Sequence, residues 1–306
     1  MTGVPVALTR CPAPSLAEGE LTFLDRQPIA IDLAEKQHAA YCDALAALGL
    51  EVVTLPAVTA YPDSVFVEDM AVVLDEVVVL TRPGAASRQG EAALMADALS
   101  RYRPVLPLVP LIETPAPRAS SQIPYAAQAQ PGSAAKAAAV AGHEAPALRG
   151  VSHRGHRSSE PATLEGGDVL RVGRRLFVGI SSRTNAAGVG ALRNVAAPYG
   201  YTVTPVPVTG CLHLKTGVTA LDDTTLLANP AWVDLSPFAG MEILPVDEAE
   251  PWAANVLRHG HSLLASAAYP RTAELLDRRG YAPNRVDISE FAKAEAGLTC
   301  LSLLFA

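Results

Sequence analysis

The sequence predicts an α/β fold: a five-bladed, pseudo-symmetric α/β propeller built from strand–strand–helix–strand units. Three observations predict it. One segment plan recurs along the chain, its lead residues recur at a near-constant interval, and an unpartnered apolar strand stands at each end. The plan is a polar or acidic residue, a short apolar strand, a tight turn and a second apolar strand. It appears in EDMAVVLDEVVVLT from Glu68, EGGDVLRVGRRLFVG from Glu165, HLKTGVTALDDTTLLA from His213 and NVLRHGHSLLA from Asn255. The turns carry Asp-Glu, Val-Gly-Arg, Asp-Asp and His-Gly, residues that suit reversals between strands.

The remaining elements follow in order. Helix patterns follow the first two hairpins (SRQGEAALMADALSRY and RTNAAGVGALRNVAAPYG), and a shorter one, TAELLDRRG, follows the fourth. A further apolar stretch then completes each unit, as in YTVTPVPV from Tyr201. The fifth copy is split. TCLSLLF at the C-terminal end has no partner after it, and VPVALTR at the N-terminal end is an orphan strand followed by a helix, DLAEKQHAAYCDALAALG, and an outer strand, LEVVTLPAV. Pairing the two ends closes the ring. The leads Glu165, His213, Asn255 and Cys300 are roughly 48, 42 and 45 residues apart.

The interval from Glu68 to Glu165 is too long by about one unit. The excess lies in residues 114–160, rich in Ala, Pro, Ser, Gly and Gln with few large apolar side chains. Such a composition cannot bury enough surface to fold alone, so 114–160 reads as a disordered insertion within a single catalytic domain spanning 1–306. Its HRGHRSS stretch holds two histidines but no carboxylate or thiolate partners for a metal.

Composition bounds the function. The 306 residues carry a net charge of −7, which argues against a nucleic-acid surface and suits a cationic small substrate. No run approaches the roughly 18 uninterrupted apolar residues of a membrane helix, and the start lacks the basic head and apolar core of a secretion signal. Four widely spaced cysteines form no CxxC pair, so a reducing cytoplasm is expected. Association of like copies is left open.

The repeat places its lead residues around one axis: Glu68 with Asp69, Glu165 with Asp168, His213, Asn255 and Cys300. A thiol, an imidazole and several carboxylates converging on one pocket form the constellation of a cysteine nucleophile with an acid/base partner.

These residues lie in DSVFVEDMAVV, TRPGAASRQGE, LEGGDVL, FVGISSRTN, HLKTGVTAL and LTCLSLLF. Together and in this order they resemble the dimethylargininases (dimethylarginine dimethylaminohydrolases) of the amidinotransferase/arginine-deiminase superfamily. The resemblance covers nearly the whole chain outside the insertion, with a single cysteine where some relatives have two. It implies a five-bladed α/β propeller and hydrolysis of Nω-methylated arginine to citrulline and a methylamine. It implies Cys300 as nucleophile, His213 as general acid/base and Glu165 as catalytic carboxylate. Asp63, Asp69 and Glu68 would grip the guanidinium, Arg88 and Arg183 the substrate carboxylate, and a lid loop would run from about Leu16 to Leu21. No metal or organic cofactor is expected, since the thiolate supplies the nucleophile. A Zn²⁺ held by Cys300 and His213 would be inhibitory at most. The rival readings are an arginine- or agmatine-directed deiminase, an amidinotransferase, or an inactive propeller serving as a binding module.

Overall fold

The computed structural model describes residues 4–109 and 160–305. The insertion expected at 114–160 therefore lies, Glu160 apart, outside the described residues.

The described strands form five three-stranded sheets, each an antiparallel pair with a third strand added in parallel. In chain order the full sets are β3 (Ala71–Val73), β4 (Val78–Leu80) and β5 (Val105–Pro107); β6 (Val169–Val172), β7 (Arg175–Ile180) and β8 (Thr202–Pro207); β9 (Val218–Ala220), β10 (Thr225–Ala228) and β11 (Glu242–Pro245); and β12 (Leu257–His259), β13 (Ser262–Ser266) and β14 (Asn284–Val286). The fifth sheet joins the chain ends. β1 (Val6–Arg10) pairs antiparallel with β15 (Leu303–Phe305), with Val6 opposite Phe305, and parallel with β2 (Glu51–Leu55). The two orphan strands of the sequence are thus partners.

Helices bridge four of the five parallel pairs. These are α1 (Ile31–Ala47) between β1 and β2, α2 (Glu91–Leu99) between β4 and β5, α3 (Ala186–Ala196) between β7 and β8 and α5 (Pro270–Arg278) between β13 and β14. The strand–strand–helix–strand plan fails in the third unit. There β10 reaches β11 through an irregular segment with one 3-10 turn, Ser236–Phe238. Pro230 and Pro237 each remove a backbone donor and disfavour helix at the preceding residue.

The middle strands are buried on both faces, so they read as apolar runs rather than alternating ones. Their two faces feed different cores. In β10, Leu226 and Ala228 pack with Leu170 and Phe177 of the sheet before, whereas Leu227 packs with Leu263 and Ala265 of the sheet after. Likewise Ala7 of β1 packs with Leu264 of β13, and Leu8 with Ala71 and Val78 of the β3–β4 pair. Five such clusters each join two sheets.

Candidate active site

Just before the first strand of four sheets the chain makes a short helical turn, and these turns hold most of the predicted lead residues. Val67–Met70 carries Glu68 and Asp69, and Gly166–Asp168 follows Glu165. His213 precedes the four-residue helix α4 (Leu214–Gly217), and Thr299–Leu301 carries Cys300. Asn255 lies two residues before β12. They sit outside the ladder, ahead of the strands, so their side chains are not committed to strand faces.

Crowding explains the Gly-Gly of EGGD. A β-carbon on Gly166 would lie 1.9 Å from the carbonyl oxygen of Glu68. One on Gly167 would lie 2.6 Å from His213 Nδ1 and 2.8 Å from Asp69 Oδ1. Both positions are closed to any side chain without displacing the site. Asp168, fully buried, accepts from the Leu214 backbone N–H (2.8 Å) and the Ser181 hydroxyl (2.7 Å), and so fixes the turn that presents His213.

Cys300, His213, Glu165, Asp69, Asp63, Arg88 and Arg183 share one cavity of about 20 Å³. That volume holds about one water molecule. Among its lining residues only Glu20 is exposed. His213 Nε2 lies 2.6 Å from Glu165 Oε2, and its Nδ1 faces Asp69 Oδ1 at 3.8 Å. Burial opposes charge on His213, but Asp69, the Glu165 hydrogen bond and Asp168 outweigh it and raise its pKa to about 9. Glu165 is likewise opposed by burial, yet the His213 hydrogen bond and the charges of His213, Arg88 and Arg183 hold it well below the ordinary carboxylate range. Burial, with Glu68 and Asp69 adding negative charge, pushes the Cys300 thiol far up. The resting site therefore pairs an imidazolium with a neutral thiol.

The other predicted residues divide. Asp63 accepts the backbone N–H of Glu20 (3.0 Å), and Arg183 donates to the Thr22 hydroxyl (3.1 Å), so both reach the 19–24 segment. Arg88 is not a free anion site. It is buried, ion-paired with Asp69 (2.7 Å) and Glu91 (3.1 Å), and also donates to the carbonyls of Asp63 and Phe66. Glu68 is absent from the lining of the Cys300 cavity and instead lines a separate cavity of about 510 Å³. Its carboxylate is held by Lys215 and by the Thr299 hydroxyl (2.7 Å). Leu16 also lies outside the Cys300 cavity. It is fully buried against Ala7, Tyr41 and Phe66, an apolar anchor at the root of the loop, and the loop residue that lines the cavity is Glu20.

Sequence reasoning missed Lys215, Thr299 and Glu295. Lys215 and Thr299 neutralise and fix Glu68, and Asn255 ties them together by donating to the Thr299 hydroxyl (3.0 Å) and the Lys215 carbonyl (2.9 Å). Lys215 lies two residues beyond His213, inside a quoted motif, where its charge was the available signal. Glu295 also lines the cavity, and no pattern marked it.

Among the described residues one group of side chains has ligand atoms close enough for a metal ion: Asp69, Glu165 and His213, within 4.8 Å of one another. Cys300 is not part of this group.

A cysteine, a carboxylate-paired histidine and further acids on a five-sheet α/β frame define a class, and the arginine deiminase family model matches residues 138–249. A curated N(G),N(G)-dimethylarginine dimethylaminohydrolase from Streptomyces coelicolor is 38% identical over 297 residues, covering 97% of this chain and 95% of the relative. Its counterpart from Pseudomonas aeruginosa is 30% identical over 300 residues, covering 97% and 98%. A solved structure of the Pseudomonas aeruginosa protein, a cysteine-to-serine variant complexed with citrulline, superposes with a TM-score of 0.78 at 29% identity over 99% of both chains. The chain belongs to the dimethylarginine dimethylaminohydrolase family.

Proposed function

We propose that this chain hydrolyses Nω-methylated arginine to citrulline and a methylamine, through a covalent S-alkylthiouronium on Cys300. The observation that carries the reading is the single cavity lined by Cys300, His213, Glu165 and Asp69, in a chain related end to end to named dimethylarginine dimethylaminohydrolases.

Guanidinium is a poor electrophile because its charge is delocalised. Planar carboxylates fix it through forked hydrogen bonds, a role for Asp69 and Asp63 on the cavity wall. Its positive charge beside the buried thiol offsets the burial and acid charges that keep Cys300 neutral, and the thiol releases its proton to solvent as the thiolate forms. Sulfur attacks the guanidinium carbon and forms a C–S bond. The C–N bond to the methylated nitrogen then breaks as the imidazolium of His213 delivers a proton, and the amine leaves. The neutral imidazole next takes a proton from water, whose oxygen adds to the thiouronium carbon. The C–S bond breaks, citrulline departs, and thiol and imidazolium are restored. Glu165, 2.6 Å from Nε2, orients His213 and stabilises its charge through both halves.

Arg183 is the proposed contact for the substrate α-carboxylate. Arg88, engaged with Asp69 and Glu91, sets the position of Asp69. Glu68, held outside the cavity, acts on Cys300 through its charge.

We read the five sheets as the blades of one propeller closed by the β1–β15 pair, supported by clusters that join the sheets in cyclic succession. The chain acts as a single catalytic domain, and joining Thr114 directly to Pro161 should leave citrulline release within a few-fold. A reducing cytoplasm suits the four free cysteines. Among the described residues no helix is long and apolar enough to cross a membrane.

The test is citrulline release by purified protein from asymmetric dimethylarginine, monomethylarginine, arginine and agmatine. Methylated substrates should turn over fastest. Preference for arginine or agmatine would point to a deiminase, and release from none to a binding module.

A further inference from the structure

The cavity of about 510 Å³ that Glu68 lines shares no residue with the one that holds Cys300. Its volume is that of a small-molecule site. One strand from each of the five sheets contributes to its walls: β3, β6, β9, β12 and β15. Its charge is opposite to that of the chain. The whole sequence carries a net −7, yet the formally charged side chains of this lining are four cations and two acids. The cations are Arg103, Arg171, Lys215 and Arg258, and the acids are Glu68 and Asp75. Lys215 is engaged with Glu68, so the surplus positive charge lies in the arginines.

The three arginines are held in one way. Arg103 Nε donates to the carbonyl of Leu74 (2.9 Å), Arg171 Nε to that of Gly173 (3.0 Å) and Arg258 Nε to that of Gly260 (2.9 Å). Each acceptor lies in the turn of an antiparallel pair: β3–β4, β6–β7 and β12–β13. A guanidinium tethered at Nε has lost rotamer freedom before any ligand arrives, which lowers the cost of binding one. Arg171 also meets Asp75, and Arg258 meets Asp223 (2.8 Å), but both carboxylates are exposed and hold their partners weakly. A ligand with several charged oxygens can displace both.

We propose that this cavity binds a compact oxyanion bearing two or more negative charges, held by forked hydrogen bonds from Arg103, Arg171 and Arg258. Phosphate and carboxylate groups both match the planar guanidinium fork. A cationic guanidine has no place among three arginines, so this site stands apart from the methylarginine reading.

The test is isothermal titration calorimetry of the full-length protein with pyrophosphate and, separately, with citrate, in low-salt buffer. At least one probe should bind, and its affinity should fall as sodium chloride is added. The tighter probe identifies phosphate or carboxylate as the recognised group. Arg171→Gln and Arg258→Gln should each weaken binding by about tenfold or more, the effect of a lost charge-assisted bond. Arg183→Ala, which alters the Cys300 cavity, should leave it unchanged. Asp75→Asn removes an acid from the lining and releases Arg171, so it should tighten binding by about two- to fivefold. That gain serves if the arginine variants do not fold, because damage to the fold does not tighten a site. The proposal is overturned if neither probe binds, or if binding survives in the folded arginine variants. Unchanged affinity in Asp75→Asn, or loss of binding in Arg183→Ala, would overturn it equally.

Discussion

His213 Nε2 and Glu165 Oε2 stand 2.6 Å apart, both buried, with Asp69 facing the other ring nitrogen at 3.8 Å. The acids hold a proton on the imidazole that a buried histidine would otherwise lose.

Replacing Glu165 should therefore shift the pH dependence of both activity and stability. His213 is raised from 6.5 to about 9, so its contribution to folding is complete below pH 6.5 and is lost as pH rises through about 9. Glu165 is depressed from 4.5, so its contribution is complete above pH 4.5 and is lost as pH falls through its lower folded value. The Tm difference between wild type and Glu165→Gln should be largest between pH 4.5 and 6.5 and shrink on both sides. The alkaline limb of kcat/KM should move to lower pH in the variant. An unmoved limb would remove His213 as the proton donor.

The two arginines should respond differently to alanine. Arg183→Ala is expected to raise KM while leaving the fold intact, by about 1.5–3 kcal/mol of binding for a lost charge-assisted bond. Arg88→Ala strands Asp69 and Glu91 as buried carboxylates, and removing one partner of such a pair costs about 3–5 kcal/mol of stability. Urea denaturation with steady-state kinetics on both variants separates the two. Equal stability loss would mean Arg183 is also structural.

Gly167→Ala should cut turnover by about a hundredfold in a folded protein. The new methyl would lie 2.6 Å from His213 Nδ1 and 2.8 Å from Asp69 Oδ1, so one of them must shift. Misplacing a reacting group by about 1 Å costs on the order of a hundredfold in rate. Circular dichroism and citrulline release check the outcome, and near-wild-type kcat would show that the crowding is relieved elsewhere.

Much of this frame was legible in the sequence because the repeat is short and its strands are apolar on both faces. The β1–β15 pairing was readable as two orphans, and Glu165, His213 and Cys300 by their spacing. The third unit broke the pattern where Pro230 and Pro237 disfavour a helix, a local signal that the repeat overrode. Arg88 and Leu16 have partners that sequence position does not show. Sequence position placed them beside the site, but burial partners decide what a side chain is free to bind. Arg88 meets two acids and Leu16 meets a core. Glu295, which lines the cavity from a left-handed backbone, was invisible because no spacing rule encodes that conformation.

The central claim is that Cys300 is the nucleophile. The thiols of Cys211 and Cys300 are both buried, and burial raises Cys211 to about 12, so neither ionises spontaneously at neutral pH. Only a thiol beside the bound guanidinium should react. Acid quench of wild-type protein during turnover of asymmetric dimethylarginine, followed by peptide mass mapping, tests this directly. The expected result is a thiouronium adduct on the peptide containing Cys300 and on no other cysteine, with adduct and citrulline both absent in Cys300→Ala. Citrulline release by a folded Cys300→Ala protein, or an adduct on Cys211 in its place, would contradict it.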